Sequence, residues 1–245
     1  MLTPRIFVDG TQHAPVVGDR YVLTETAARH VAHALRMRIG DRVALFTGTG
    51  GEYETTIERI ARASVDVRIE RHLDVERETS WPVTLVQAVI AADMMDLVIR
   101  KAVELGVFAI APFNATRSQR LSEERAARRL VHWRQIAIAA CEQCGRNRVP
   151  QVLPWVDLDE RLSLADAHPL TILDADAGAS LSEIARTATP RTIIVGPEGG
   201  LAPEEVRRAQ DKGAWAAHLG RRMLRAETAA LTALATINAI AGDAR

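Results

Sequence analysis

The spacing of hydrophobic positions changes character near residue 80. Before it, short segments alternate apolar and polar residues: Arg5–Val8, Tyr21–Leu23, Arg42–Phe46, Tyr53–Ile60 and Val65–Ile69. A period of two marks strands with one buried face, and the Gly- and Asp-bearing stretches between them mark turns. GTGG at 48–51 is a hairpin signal. One helical stripe interrupts the alternation, with Ala27, Val31, Ala34 and Leu35 on one face, Thr24 as N-cap, and Gly40-Asp41 as the stop. Residues 1–75 therefore predict a small β-barrel of the size binding modules use.

HLDVERETSWP, residues 72–82, is charged and broken by proline, and reads as a connection, with 76–82 as the linker proper. Beyond it the strands become apolar throughout and alternate with helices. Strands are expected at Val83–Ile90, Val107–Pro112, Leu170–Leu173, Ile193–Val195 and Trp215–Leu219. Helices are expected at Asp93–Leu105, Ser122–Cys144, Leu181–Arg186, Pro203–Lys212 and Arg225–Ala241. Continuous apolar strands separated by helices predict a mostly parallel sheet covered on both faces, an α/β domain over 83–245.

Composition adds little to this picture. The chain has 245 residues, 47% hydrophobic and 25% charged, as expected of a soluble globular protein. No apolar run is long enough to span a bilayer, and MLTPRIFVDG has no signal-peptide pattern, so the expectation is a cytoplasmic protein without membrane contact. Net charge is zero, yet Arg117 to Arg148 carries eight arginines (117, 120, 125, 128, 129, 134, 146, 148) against three acids (123, 124, 142). ARHVAHALRMR at 28–38 is also basic. Such patches neutralise phosphates, although a solvated helix face has the same composition. Candidate RNA contacts are Arg29, His33, Arg36, Arg38, Arg117, Arg120, Arg146 and Arg148. His132 and Trp133 are placed to stack on bases or to pack within their helix. Cys141 and Cys144 have CxxC spacing but sit late in a helix with no further ligands at a usual distance, so no metal is expected.

Two loops follow strands where parallel sheets bind ligands. The first is GPEGG at 196–200. It matches neither GxxxxGK[ST] nor GxGxxG, it lacks lysine, and Glu198 would repel a phosphate. Its glycines suit a neutral or cationic ligand read by main-chain groups, or simply a tight turn with Glu198 in solvent. The second, LGRRMLR at 219–225, precedes a helix rich in small residues. Met223 and Leu224 there can wall an adenine face or serve as core.

VGPEGGLAPEE followed by LGRRMLRAETA resembles the signature pair of the SPOUT methyltransferases, RNA enzymes with a trefoil-knotted α/β fold. Within them the chain is similar to the 16S ribosomal RNA uracil N3-methyltransferase family. RMRIGDRVALFTGTGG at 36–51, RKAVELGVFAIAP at 100–112 and EQCGRNRVPQV at 142–152 carry the likeness over nearly the whole length. Cys144 departs from the small residue expected there. The resemblance implies an N-terminal PUA-like RNA-binding barrel and a homodimer. It also implies 16S ribosomal RNA or the small subunit as partner, and S-adenosylmethionine as methyl donor. By the same analogy the donor pocket is formed by Leu173, Gly196, Pro197, Glu198, Gly199, Leu219, Gly220, Met223, Leu224, Arg225, Thr228 and Ala229. Arg225 is the candidate for binding the uracil carbonyl or a phosphate, with Arg146 and Arg148 as alternatives from a neighbouring subunit. Of the carboxylates within the motifs, Glu198 and Glu227 are possible bases, and Glu198 is a weak candidate. Another RNA substrate, or an RNA-binding dimer without catalysis, is the alternative reading.

Overall fold

The computed structural model describes residues 3–11, 13–118, 122–163, 170–188 and 190–242. Its contacts divide the chain into two units: 1–78 with 138–149, and 79–137 with 150–245.

The first unit holds β1 (Arg5–Phe7), β2 (Arg20–Val22), α1 (Glu25–Arg29), β3 (Arg42–Phe46), β4 (Glu52–Ile60) and β5 (Val65–Leu73). They form a mixed sheet in the order β1-β3-β4-β5-β2, antiparallel except for β1 against β3. The alternating apolar residues point inward, so Val43, Leu45, Ile57, Val65, Val67 and Ile69 form one core with Val31. Strand β5 continues to Leu73, because its pairing with β4 carries on past a bulge through the charged residues expected to begin the connection.

Thr24 caps α1 as expected, its hydroxyl accepting from Ala27 N at 3.4 Å. The helix ends earlier than Gly40, however. It widens into a π-helical turn at His30–Ala34, and Arg36 adopts φ +54°. Met37 N then donates to Val31 O at 3.1 Å, so Arg36 fills the left-handed closing position that glycine usually takes.

The second unit contains β6 (Thr84–Ala88), α2 (Ala92–Glu104), β7 (Ala109–Asn114), α3 (Glu123–Cys144), β8 (Gln151–Val152), β9 (Val156–Asp157), α4 (Leu158–Ser163), β10 (Leu170–Leu173), α5 (Leu181–Ala188), β11 (Thr192–Val195), α6 (Pro203–Asp211), β12 (Trp215–Ala217) and α7 (Ala226–Ala241). The last turns of α3 cluster instead with the first unit. Strands run in the order β12-β10-β11-β6-β7-β8, with β9 also on β7, and every pairing is parallel. The expected strands and helices appear here, with ends shifted by a residue or two. The short β8, β9 and α4 were not anticipated. Two-residue strands carry no readable period, and α4 offers only Leu158 and Leu162 as an apolar stripe.

The central strands β6 and β11 are covered on both faces, and Leu85, Val86, Ile193 and Ile194 are buried. Burial of such side chains contributes about 1.5–3 kcal/mol each, which explains why these strands lack the alternation seen in the first unit.

A glycine-walled cavity at the carboxyl ends of three strands

The parallel order brings the carboxyl ends of β10, β11 and β12 side by side, and a cavity of about 340 Å³ opens there. Leu173 to Asp176 come from the end of β10 and the turn after it, Val195 to Glu198 with Gly200 and Leu201 from β11 and its loop, and Ala217 to Gly220 with Arg222 to Leu224 from β12 and its loop. Val206 of α6, Ala226 and Ala229 of α7, and Arg117 also line it.

The first loop turns tightly, Gly200 N donating to Pro197 O at 2.9 Å. A Cβ on Gly196 would stand 2.9 Å from Leu201 Cγ and 3.1 Å from Leu201 N, so only glycine fits without moving the wall. Glu198 reaches out of the loop, and its Oε1 accepts from Ala91 N at 3.0 Å. Ala91 is the N-cap of α2 and has no capping side chain of its own, so Glu198 supplies one and places its charge at a helix N-terminus.

The second loop is held by His218 and Gly220. Gly220 lies at φ +102°, and its N–H donates to His218 Nδ1 at 3.0 Å. Behind it, Ser180 pairs with His218, and Ser180 with Glu183 forms a reciprocal cap on α5. The Ser180 N–H and hydroxyl hold the Glu183 carboxyl below its ordinary pKa. The walls are aliphatic at Leu173, Leu201, Leu219, Leu224 and Ala229, with Asp174, Asp176 and Glu198 as the acids. Met223 is 83% exposed beside this wall.

An RNA methyltransferase domain family matches residues 77–238, and an RNA methyltransferase PUA domain family matches 23–70. A ribosomal RNA small subunit methyltransferase E of Mycobacterium bovis is 31% identical over 233 residues, covering 92% of this chain and 88% of its own. The chain belongs to this methyltransferase family. A methyltransferase from Legionella pneumophila, solved with its cofactor SAM, superposes with a TM-score of 0.92 at 36% identity, covering 98% of each chain. The Neisseria gonorrhoeae ribosomal RNA small subunit methyltransferase E bound to S-adenosyl methionine gives 0.89 at 33% identity, covering 97% of this chain and 98% of that one. The fold is thus an α/β RNA methyltransferase domain with an N-terminal PUA-like domain.

In this methyltransferase the structure gathers Leu173, Gly196, Pro197, Glu198, Leu219, Gly220, Met223, Leu224 and Ala229 around one cavity. Gly199 lies beside it, its carbonyl accepting from Arg117 Nη1 at 2.7 Å. Arg225 and Thr228 stand outside the lining. Arg225 is the exposed N-cap residue of α7, and its side chain has no partner among the described residues.

Sequence reasoning missed Asp174, Asp176, His218 and Arg222, all of which line the cavity. Only their position at strand ends could have signalled them. Arg117, expected on the RNA, donates to Gly199 O in the first loop.

Of the remaining basic candidates, Arg29, His33, Arg36 and Arg38 are exposed at the end of α1 and in the turn after it. Arg120 lies outside the described residues. Arg146 is corrected by the structure: it is 4% exposed, and its Nε donates to Glu78 Oε1 at 3.0 Å within the first unit, which leaves no open face for a phosphate. Arg148 pairs with Glu76 at 3.3 Å but keeps about half of its side chain exposed. Trp133 is buried, and exposed His132 meets Asp96 at 2.8 Å, so Trp133 is helix packing. Among the described residues no group of three or more metal-ligating side chains converges, and no helix is long and apolar enough to cross a membrane.

Proposed function

We propose that this protein transfers a methyl group from S-adenosylmethionine to N3 of a uridine in 16S ribosomal RNA, acting as a cytoplasmic homodimer. The carrying observation is that two glycine-bearing loops close one lysine-free cavity at the carboxyl ends of β10, β11 and β12.

The residues present fit the donor. Aliphatic walls at Leu173, Leu201, Leu219 and Leu224 suit an adenine ring, and the missing Cβ at Gly196 leaves main-chain groups open to it. Asp174, Asp176 and Glu198 offer carboxylates to a cation, with Arg117 and Arg222 sharing the lining. When bound, S-adenosylmethionine supplies an electrophilic methyl group on a cationic sulfur.

The chain's own task is to orient and stabilise the uracil. N3 carries a proton and is a poor nucleophile until that proton leaves, so the site must favour the developing uracil anion. Arg225 serves this, because its guanidinium is exposed, unpaired among the described residues, and sits at the start of α7 beside the donor wall. Glu198 acts as a tie rather than a base, since Oε1 is engaged on Ala91 N. N3 lies on the pairing edge, so the target uracil must be unpaired or flipped out. Exposed Arg29, Arg36, Arg38 and Arg148 supply phosphate contacts.

Primer extension on ribosomal RNA decides the assignment. N3-methyluracil cannot pair, so reverse transcriptase stops there, and cells lacking the protein should lose one such stop in 16S RNA. An unchanged pattern overturns the substrate, and loss of a stop in another RNA reassigns it. Calorimetry with S-adenosylmethionine should show binding to the purified chain, and absence of heat across conditions removes the donor. Arg225→Ala should lower methylation by at least 100-fold, as for loss of one charge-stabilising donor, while donor affinity stays within about threefold because Arg225 does not line the cavity. Full activity in that variant excludes Arg225 from the chemistry.

A further inference from the structure

The loop that carries GPEGG is anchored at two points to the turn after β7, one through Glu205 at the end of the VGPEGGLAPEE motif and one through Arg117. Glu205, in the first turn of α6, is 2% exposed. Its Oε1 accepts from Thr116 N at 2.8 Å and its Oε2 from Ala202 N at 2.7 Å. One buried carboxylate therefore holds two backbone segments that are far apart in sequence. Such a group costs several kcal/mol to desolvate unless its oxygens are satisfied, and here each oxygen takes a main-chain N–H beside a helix N-terminus. A helix cap alone requires only the Ala202 bond. The Thr116 bond has no role in capping α6.

The neighbouring residue supplies the second anchor. Arg117 follows Thr116, and its Nη1 donates to Gly199 O at 2.7 Å, with its Cδ 3.5 Å from where a Cβ on Gly199 would sit. The cavity wall between these anchors is Gly200 and Leu201, and Leu201 in turn leaves no room for a side chain at Gly196. A shift of Ala202 or Gly199 is thus transmitted to the two sides of the cavity that the first loop forms.

We infer that Glu205 and Arg117 are positioning residues, the buried and exposed ends of one clasp that holds the GPEGG loop in its ligand-binding shape against the turn after β7. The consequence for the donor rests on the functional reading above; the consequence for the loop does not. Neither residue needs to touch the reacting atoms. The clasp sets the loop before the ligand arrives, so affinity is not spent on ordering it.

The test uses the full chain and reads the loop and the ligand separately. Glu205→Gln keeps the shape but can accept at only one of the two sites. Hydrogen exchange followed by mass spectrometry on the peptide spanning 196–201, which excludes the amides bonded directly to Glu205, should accelerate at least tenfold in the ligand-free variant. Arg117→Ala, a change at the surface, should accelerate the same peptide and serves if Glu205→Gln does not fold. Calorimetry with S-adenosylmethionine, well below the melting temperature, should show the dissociation constant raised at least tenfold in Glu205→Gln. In turnover the KM for the donor should rise while kcat at saturating donor stays within threefold. The double variant should lose less than the product of the two single losses, because both act on one loop.

Unchanged exchange over 196–201 in a folded variant overturns the clasp. So does wild-type donor affinity with only a lowered melting temperature, which is what a merely structural glutamate would give. If the wild-type chain binds no S-adenosylmethionine, the functional reading falls, and the exchange data still decide the clasp.

Discussion

Three glutamates near the cavity have their oxygens engaged in different ways. Glu198, the acid at the centre of the motif, caps a neighbouring helix through Ala91 N. Glu183 closes a capping box with Ser180 behind the second loop. Glu205 spans two backbone segments. Glu183 finds its partner three residues away, but the distant partners of Glu198 and Glu205 were not visible in the chain, because Ala91 and Thr116 lie 107 and 89 positions away. Cysteine chemistry is likewise decided by surroundings. Cys141 is wholly buried on α3, its thiol donates toward Arg148 O at 3.6 Å, and burial pushes its pKa up to about 12. A raised thiol pKa means the unreactive neutral form dominates at every pH up to about that value. Titration of the native protein with a thiolate-selective reagent at pH 7–8 should therefore modify at most one thiol per chain, and denaturant should release the second. Rapid labelling of both in the folded state would contradict the buried placement.

Elements were legible where their period was long. Helix α2 and helix α3 follow from apolar spacing, and the buried strands β6, β10 and β11 from continuous apolar runs. Gly106 marks the end of α2 in both sequence and structure, at φ +75°. The same helix end shows what spacing leaves out. Asn238 on α7 donates from Nδ2 to Leu105 O at 2.6 Å, satisfying a terminal carbonyl of α2 that its own helix cannot. Nothing in the pattern of α7 distinguishes this asparagine from a solvent-facing one. Asn238→Ala should destabilise the protein by about 1 kcal/mol, since it leaves a half-buried acceptor without its side-chain partner. Urea unfolding of the two proteins measures this, and a difference within error would assign the carbonyl to water instead.

At the scale of the molecule, the change of period near residue 80 could not show that 138–149 gathers with the first unit. Helix α3 keeps one apolar period from Glu123 to Cys144, and a period does not record which neighbour each turn packs against. The strand order is the same kind of information. Strands β10, β11 and β12 are separated by α5 and α6, yet lie adjacent as β12-β10-β11, and that adjacency creates the cavity. The chain alone determined local geometry and chemistry: which segments bury two faces or one, where glycine is needed, and that a lysine-free acidic loop disfavours phosphate. Those depend on neighbours a few residues apart. Tertiary structure decided what depends on distant partners: the burial of Arg146 against Glu78, the tie from Glu198 to Ala91, and the clasp from Glu205 and Arg117. Hydrogen bonds and burial are set by distances in space, which sequence spacing encodes only within an element.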